Sequence, residues 1–136
     1  LEVLEYLDNP THTIKQLYET LSPNGNLFFS VPLHHSIHGD ANLDKWRITR
    51  SGLESIFQSN NMRSYTIIPM GCFLSVIFDL TFAYLNMDSK SSNIVRKLLL
   101  RLLFFFQKII LKIDESLSKK SRGHITTGYF VRIQKL

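Results

Sequence analysis

The chain has 136 residues and a net charge of +5, with 44% hydrophobic and 20% charged residues. That length admits one domain with a sizeable core and excludes two ordinary ones, and the composition excludes a disordered chain. A single cysteine, Cys72, excludes an internal disulfide and a paired-thiol metal or redox motif; inside an apolar run it reads as a small buried hydrophobe. Nothing argues for an oxidising compartment, which favours the cytoplasm. The chain opens at Leu1, with no initiator Met and no charged segment leading to a cleavage site, so we expect truncation and no signal peptide.

The basic character is local. Nine of the sixteen Lys and Arg residues fall between Lys90 and Arg122, against only Asp114 and Glu115. The rest of the chain is slightly acidic.

In chain order, Ile14, Leu17, Tyr18 and Leu21 recur at i, i+3, i+4 and i+7, which predicts a helix over 13–21. Ser22, Pro23, Asn24 and Gly25 end it in a turn. Residues 26–32 form a nearly continuous apolar run without alternation, which predicts a strand buried on both faces, as in a helix-covered parallel sheet. Residues 33–44 are a polar loop with His34, His35 and His38. Thr49 is the expected N-cap of a short helix ending near Asn60, and a strand is expected over 63–69. Two apolar helices follow, over 73–87 and 93–117, joined by a polar linker. Residues 126–133 then read as a last strand, pairing antiparallel with 64–68.

Four segments carry a family resemblance. Val3-Leu4-Glu5-Tyr6-Leu7-Asp8-Asn9-Pro10 is similar to a "v-L-E-H-l-x-d-P" motif, and Leu21-Ser22-Pro23-Asn24-Gly25 to "L-k-P-G-G". Asp44-Lys45-Trp46-Arg47-Ile48-Thr49 with Gly52-Leu53 is similar to "D-y-w-R-f-T-x-x-G-L", and Thr127-Gly128-Tyr129-Phe130-Val131 to the closing, antiparallel strand. Together, in this order, they resemble class I S-adenosylmethionine-dependent methyltransferases of the type 11 family, from the fourth strand onward. The resemblance implies an α/β fold: an incomplete Rossmann-like methyltransferase, with strands 5, 6 and 7 and their flanking helices, plus a helical insertion. It divides the chain into residues 1–69 (core), 70–122 (basic amphipathic insertion) and 123–136 (final strand).

Two positions depart from the family pattern. Tyr6 stands where His is usual, which removes an imidazole from the rim, and Asn24 replaces a Gly whose positive φ it tolerates. The family's Gly-rich loop and second-strand acid would precede Leu1, so residues 1–136 alone are expected to be inactive and not to bind S-adenosylmethionine.

By resemblance, the loops after the fourth and fifth strands face the methyl acceptor. His34, His35 and His38 are then the candidate general bases, because imidazole titrates near neutrality; the alternative is exposed loop histidines. His34 and His38 are spaced as a helical metal pair, but Pro32 and Gly39 argue against that, and no metal is expected. Asp44, Trp46 and Arg47 are expected to recognise the acceptor, or else to be a structural pair over a packed Trp. Glu5 and Tyr6 lie near the cofactor in the complete domain by resemblance. The expected acceptor is a small molecule or a glycan- or lipid-linked one.

In the insertion, Lys97, Arg101, Lys108 and Lys112 fall on one helical stripe beside a wide apolar face. That pattern suits peripheral contact with a membrane through 94–113, or packing of the two helices on each other; interrupting charges exclude a membrane span. Nucleic acid is not expected, since the aromatics are not interleaved with exposed cations. The function is accordingly methyl transfer or, in another class, a non-catalytic membrane-associating α/β module.

Overall fold

The computed structural model describes residues 3–37, 41–86, 94–117 and 124–136. The chain divides into two compact units: one of residues 1–33, 37–70 and 128–136, the other of residues 34–36 and 71–127.

The first unit is a three-stranded sheet with two helices. A single 3-10 turn, Leu4–Tyr6, precedes α1 (Pro10–Thr20), β1 (Asn26–Pro32), α2 (Arg50–Ser59), β2 (Ser64–Met70) and, after the second unit, β3 (Gly128–Gln134). Helix α1 starts at Pro10, three residues before the predicted start at Thr13. Pro10 takes the first helical position, where its missing N–H is harmless, and the Asn9 side chain accepts from the His12 amide at 3.0 Å. Thr49 caps α2 as expected, accepting from the Gly52 amide at 3.2 Å. Asn24 adopts φ 63° in the turn before β1, so the Gly-to-Asn departure leaves that turn intact.

Strand order is β1-β3-β2, with β3 antiparallel to both neighbours. The expected pairing of the last strand with 64–68 therefore forms, and the same strand also separates β1 from β2. Alternation along β3 explains why it takes the centre: Tyr129, Val131 and Ile133 on one side are all buried. They join Phe29, Val31 and Ile67 of the flanking strands, Ile14 of α1, and Leu53 and Phe57 of α2 in one core. Phe57 packs edge-on to Phe29, with ring centroids 6.5 Å apart, and lies 4.9 Å from Tyr65.

Burial of β1 on both faces is corrected. Phe28 is 55% exposed and stacks on Phe130 at 6.1 Å, because both helices of the unit serve the other face of the sheet.

The second unit is built on α3 (Phe73–Asn86) and α4 (Ile94–Leu117), which pack on each other. Phe82 of α3 meets Phe104 of α4 edge to face at 5.1 Å, and the Arg96 guanidinium donates to the Leu85 carbonyl. Asp114, on α4, caps α3. Its carboxylate accepts from the amides of Cys72 and Leu74, both at 2.9 Å, from the Ser75 amide at 3.1 Å and from the Ser75 hydroxyl at 2.5 Å. A negative charge at a helix N-terminus satisfies otherwise orphaned N–H groups and complements the helix dipole. Burial pushes this carboxyl up, but the four hydrogen bonds, the Ser75 hydroxyl foremost, outweigh it and hold it below the usual carboxylate range.

Candidate functional site: a cavity between two loops

The 3-10 turn ends in Leu7, and residues 44–49 run beside it in extended, irregular backbone. Two backbone bonds stitch these loops: the Lys45 and Trp46 amides both donate to the Glu5 carbonyl, at 2.8 and 3.3 Å. Side chains add to the seam. Trp46 Nε1 donates to the Leu7 carbonyl at 2.7 Å, and Lys45 forms an ion pair with Asp8. That ion pair is legible in no local pattern, since the two residues lie 37 positions apart.

Arg47 grips Asp44 in a two-pronged pair, its second prong at 2.6 Å, with the Asp44 side chain wholly buried and the Arg47 side chain 26% exposed. The Asp44 hydrogen bond and charge, aided by the negative field of Glu5 and the field of Tyr6, hold the guanidinium pKa above its ordinary value despite partial burial. Arg47 is thus a fixed cation at any physiological pH. Asp8, fully exposed, is held below the usual carboxylate range by Lys45.

Between these loops and the start of α2 lies a cavity of about 470 Å³. Asp8, Asn9, Trp46, Arg47 and Thr49 contribute its polar groups, and Pro10, Ile48 and Ile56 its apolar wall. The Trp46 indole is 41% exposed, yet its N–H bond to Leu7 fixes the ring. The volume suits a small molecule or one or two sugar rings. Chemically the cavity offers a flat aromatic face, a charged donor and a carboxylate. That is a binding and orienting set.

The predicted site residues divide between the units. Glu5, Tyr6, Asp44, Trp46 and Arg47 converge in the first, with Glu5 buried under the seam. His34 and His35 belong to the second, where His34 Nδ1 donates to the Thr126 carbonyl and His35 Nδ1 to the Ser36 carbonyl, both at 2.9 Å. His38 lies outside the described residues. Sequence reasoning missed Asp8, Lys45 and Thr49 as cavity or seam residues. Among the described residues, no cluster of three or more His, Cys, Asp or Glu is placed to hold a metal ion.

Every residue lining the cavity falls in the stretch that a known family shares. Residues 1–65 match the model of a family described as a methyltransferase domain. The match covers a little under half of the chain and supports a methyltransferase domain there. No curated protein and no solved structure matches the chain. The mixed α/β architecture, with helices against a sheet, is consistent with such a domain.

The seam makes a prediction of its own. Arg47→Lys keeps the charge but loses the fork that fits the Asp44 carboxylate, and is expected to lower the stability of the first unit by about 1 kcal/mol. Urea denaturation of the two proteins checks it.

Proposed function

We propose that the first unit is the acceptor side of an S-adenosylmethionine-dependent methyltransferase of the type 11 kind, and that its cavity holds a small-molecule or glycan- or lipid-linked methyl acceptor. The carrying observation is the coincidence of the family match over 1–65 with the two-loop cavity. The antiparallel last strand adds support, since the resembled family also closes its sheet that way.

The methyl donor implied is S-adenosylmethionine, but residues 1–136 do not fit it by themselves. Their six glycines never fall two apart, so they contain no Gly-x-Gly loop of the kind that cradles such a cofactor. No step of the reaction is therefore assigned to it here. What these residues supply is placement: Trp46 offers its fixed face to an apolar or sugar ring, and Arg47 anchors hydroxyl or anionic groups beside it. Holding an acceptor in line is a large share of the work in a displacement reaction whose reactivity resides in the cofactor. Glu5 and Tyr6, behind the seam, stand nearest the cofactor side by resemblance.

The test begins with the coding sequence upstream of Leu1. A Gly-rich loop after one strand and an acid ending the next are expected; an upstream sequence without them sinks the enzyme reading. On the complete gene product, methyl transfer from labelled S-adenosylmethionine is expected, whereas residues 1–136 alone should give no heat with S-adenosylhomocysteine. Trp46→Ala in the complete product is expected to raise the acceptor KM roughly tenfold, by loss of an aromatic contact of about 1.4 kcal/mol. An unchanged KM removes the indole from the acceptor site.

A further inference from the structure

We propose that the outward face of α4 is a docking surface for an anionic lipid bilayer, on which the helix lies in the plane of the interface. The inference goes beyond the methyltransferase reading and does not depend on it.

One side of α4 is spent on α3. Leu100, Leu103, Gln107 and Ile110 are half-buried there, and Asp114 is buried at the α3 N-terminus. Among the described residues the other side has no such cover. Leu98, Leu102, Phe105, Ile109 and Ile113 are all exposed, Phe105 to 74%. Contiguous apolar area of this extent on a water-soluble surface marks an interaction site. A shallow groove of about 300 Å³, lined by Leu99, Leu102, Leu103, Phe106, Ile109 and Ile110, runs along the edge of that face nearest α3.

Charge decides the occupant. Lys97, Arg101, Lys108 and Lys112 are exposed on one stripe along the margin of the apolar face; against these four cations stands one exposed acid of the helix, Glu115, at the C-terminal end of the same stripe, Asp114 being buried. A bilayer carrying acidic headgroups neutralises all four cations while its acyl boundary takes the apolar side chains. A second copy of the chain would instead bring four more cations to the same contact. Among the described residues no helix is long and apolar enough to cross a membrane, so the 24-residue helix, about 36 Å long at 1.5 Å per residue, lies flat.

The experiment is co-sedimentation of the whole chain with phosphatidylcholine vesicles, with and without phosphatidylglycerol. Binding is expected to the anionic vesicles and to weaken with added salt. Lys108→Glu with Lys112→Glu, both exposed positions, should lower partitioning at least about tenfold, since each cation near an anionic surface is worth roughly fivefold. Lys97→Gln with Arg101→Gln is the independent second variant, and circular dichroism checks that each folds. Absent binding, equal binding to neutral vesicles, or binding indifferent to both charge variants overturns the proposal. So does a dimer in light scattering whose formation abolishes vesicle binding, which would assign the face to a second copy.

Discussion

Replacing Asp114 by Ala is expected to destabilise the α3–α4 unit by about 3 kcal/mol. The substitution strips one buried carboxylate from four donors at once: three amides at the start of α3 and the Ser75 hydroxyl. No water-filled alternative replaces it at a residue 2% exposed, so the donors lose their partners rather than exchange them. Asp114→Asn retains one acceptor oxygen and should lose about half as much. Urea denaturation followed by far-UV circular dichroism reads both; a loss below about 0.5 kcal/mol for the alanine variant would refute the capping role. The pH dependence has a definite sign. The folded carboxyl titrates below its unfolded value, so its stabilisation is present above that unfolded value, near 3.8, and drains away as the pH falls through the folded pKa. The alanine variant should lack that acid-side loss.

Gly128→Ala is expected to be at least as damaging, by about 3 kcal/mol or more, for a steric reason. Gly128 opens the central strand, opposite Pro32 on one side and Met70 on the other. A Cβ there would lie 2.3 Å from the Val31 carbonyl oxygen and 3.1 Å from the Pro32 Cα. Both are backbone atoms of a paired strand, so relief requires β1 and β3 to part. Gly52→Ala is the control, because its Cβ would meet only side-chain atoms, the Ile48 Cγ2 methyl at 3.1 Å and Thr49 Oγ1 at 3.4 Å, and a helical Ala gains up to about 1 kcal/mol over Gly. Denaturant midpoints of the two variants should differ clearly, with loss of amide-exchange protection in β3 only for the first.

These two positions also mark where the sequence could be read and where it could not. Helix α2 with its Thr49 cap, the Asn24 turn and the extent of β1 are local, set by neighbours a few residues away, and periodicity and turn chemistry suffice for them. Asp114 is different: in the sequence it is a lone acid in an apolar helix, and its meaning comes from donors 39 to 42 residues earlier. The position of β3 between β1 and β2 follows from which strand has the best-buried alternating face, and that depends on both partners. Phe28 misled because a continuous apolar run records hydrophobicity without saying which face the helices take. In the site, the Asp44-to-Arg47 cluster was visible as a polar–aromatic group, while its seam to residues 5–8 joins loops separated by β1 and was invisible until folded.

The central place of β3 has a consequence for synthesis on the ribosome. Among the described residues β1 and β2 share no pairing with each other, and both of the ladders β1–β3 and β2–β3 wait for residues 128–134. Arg132 bonds Asn26 across 106 residues. While the stretch between β2 and β3 is being translated, roughly 3–12 s at 5–20 residues per second, the edges of β1 and β2 that β3 will pair stay open. The nascent chain must hold these core-forming residues apart, or have a chaperone do so, until β3 clears the exit tunnel.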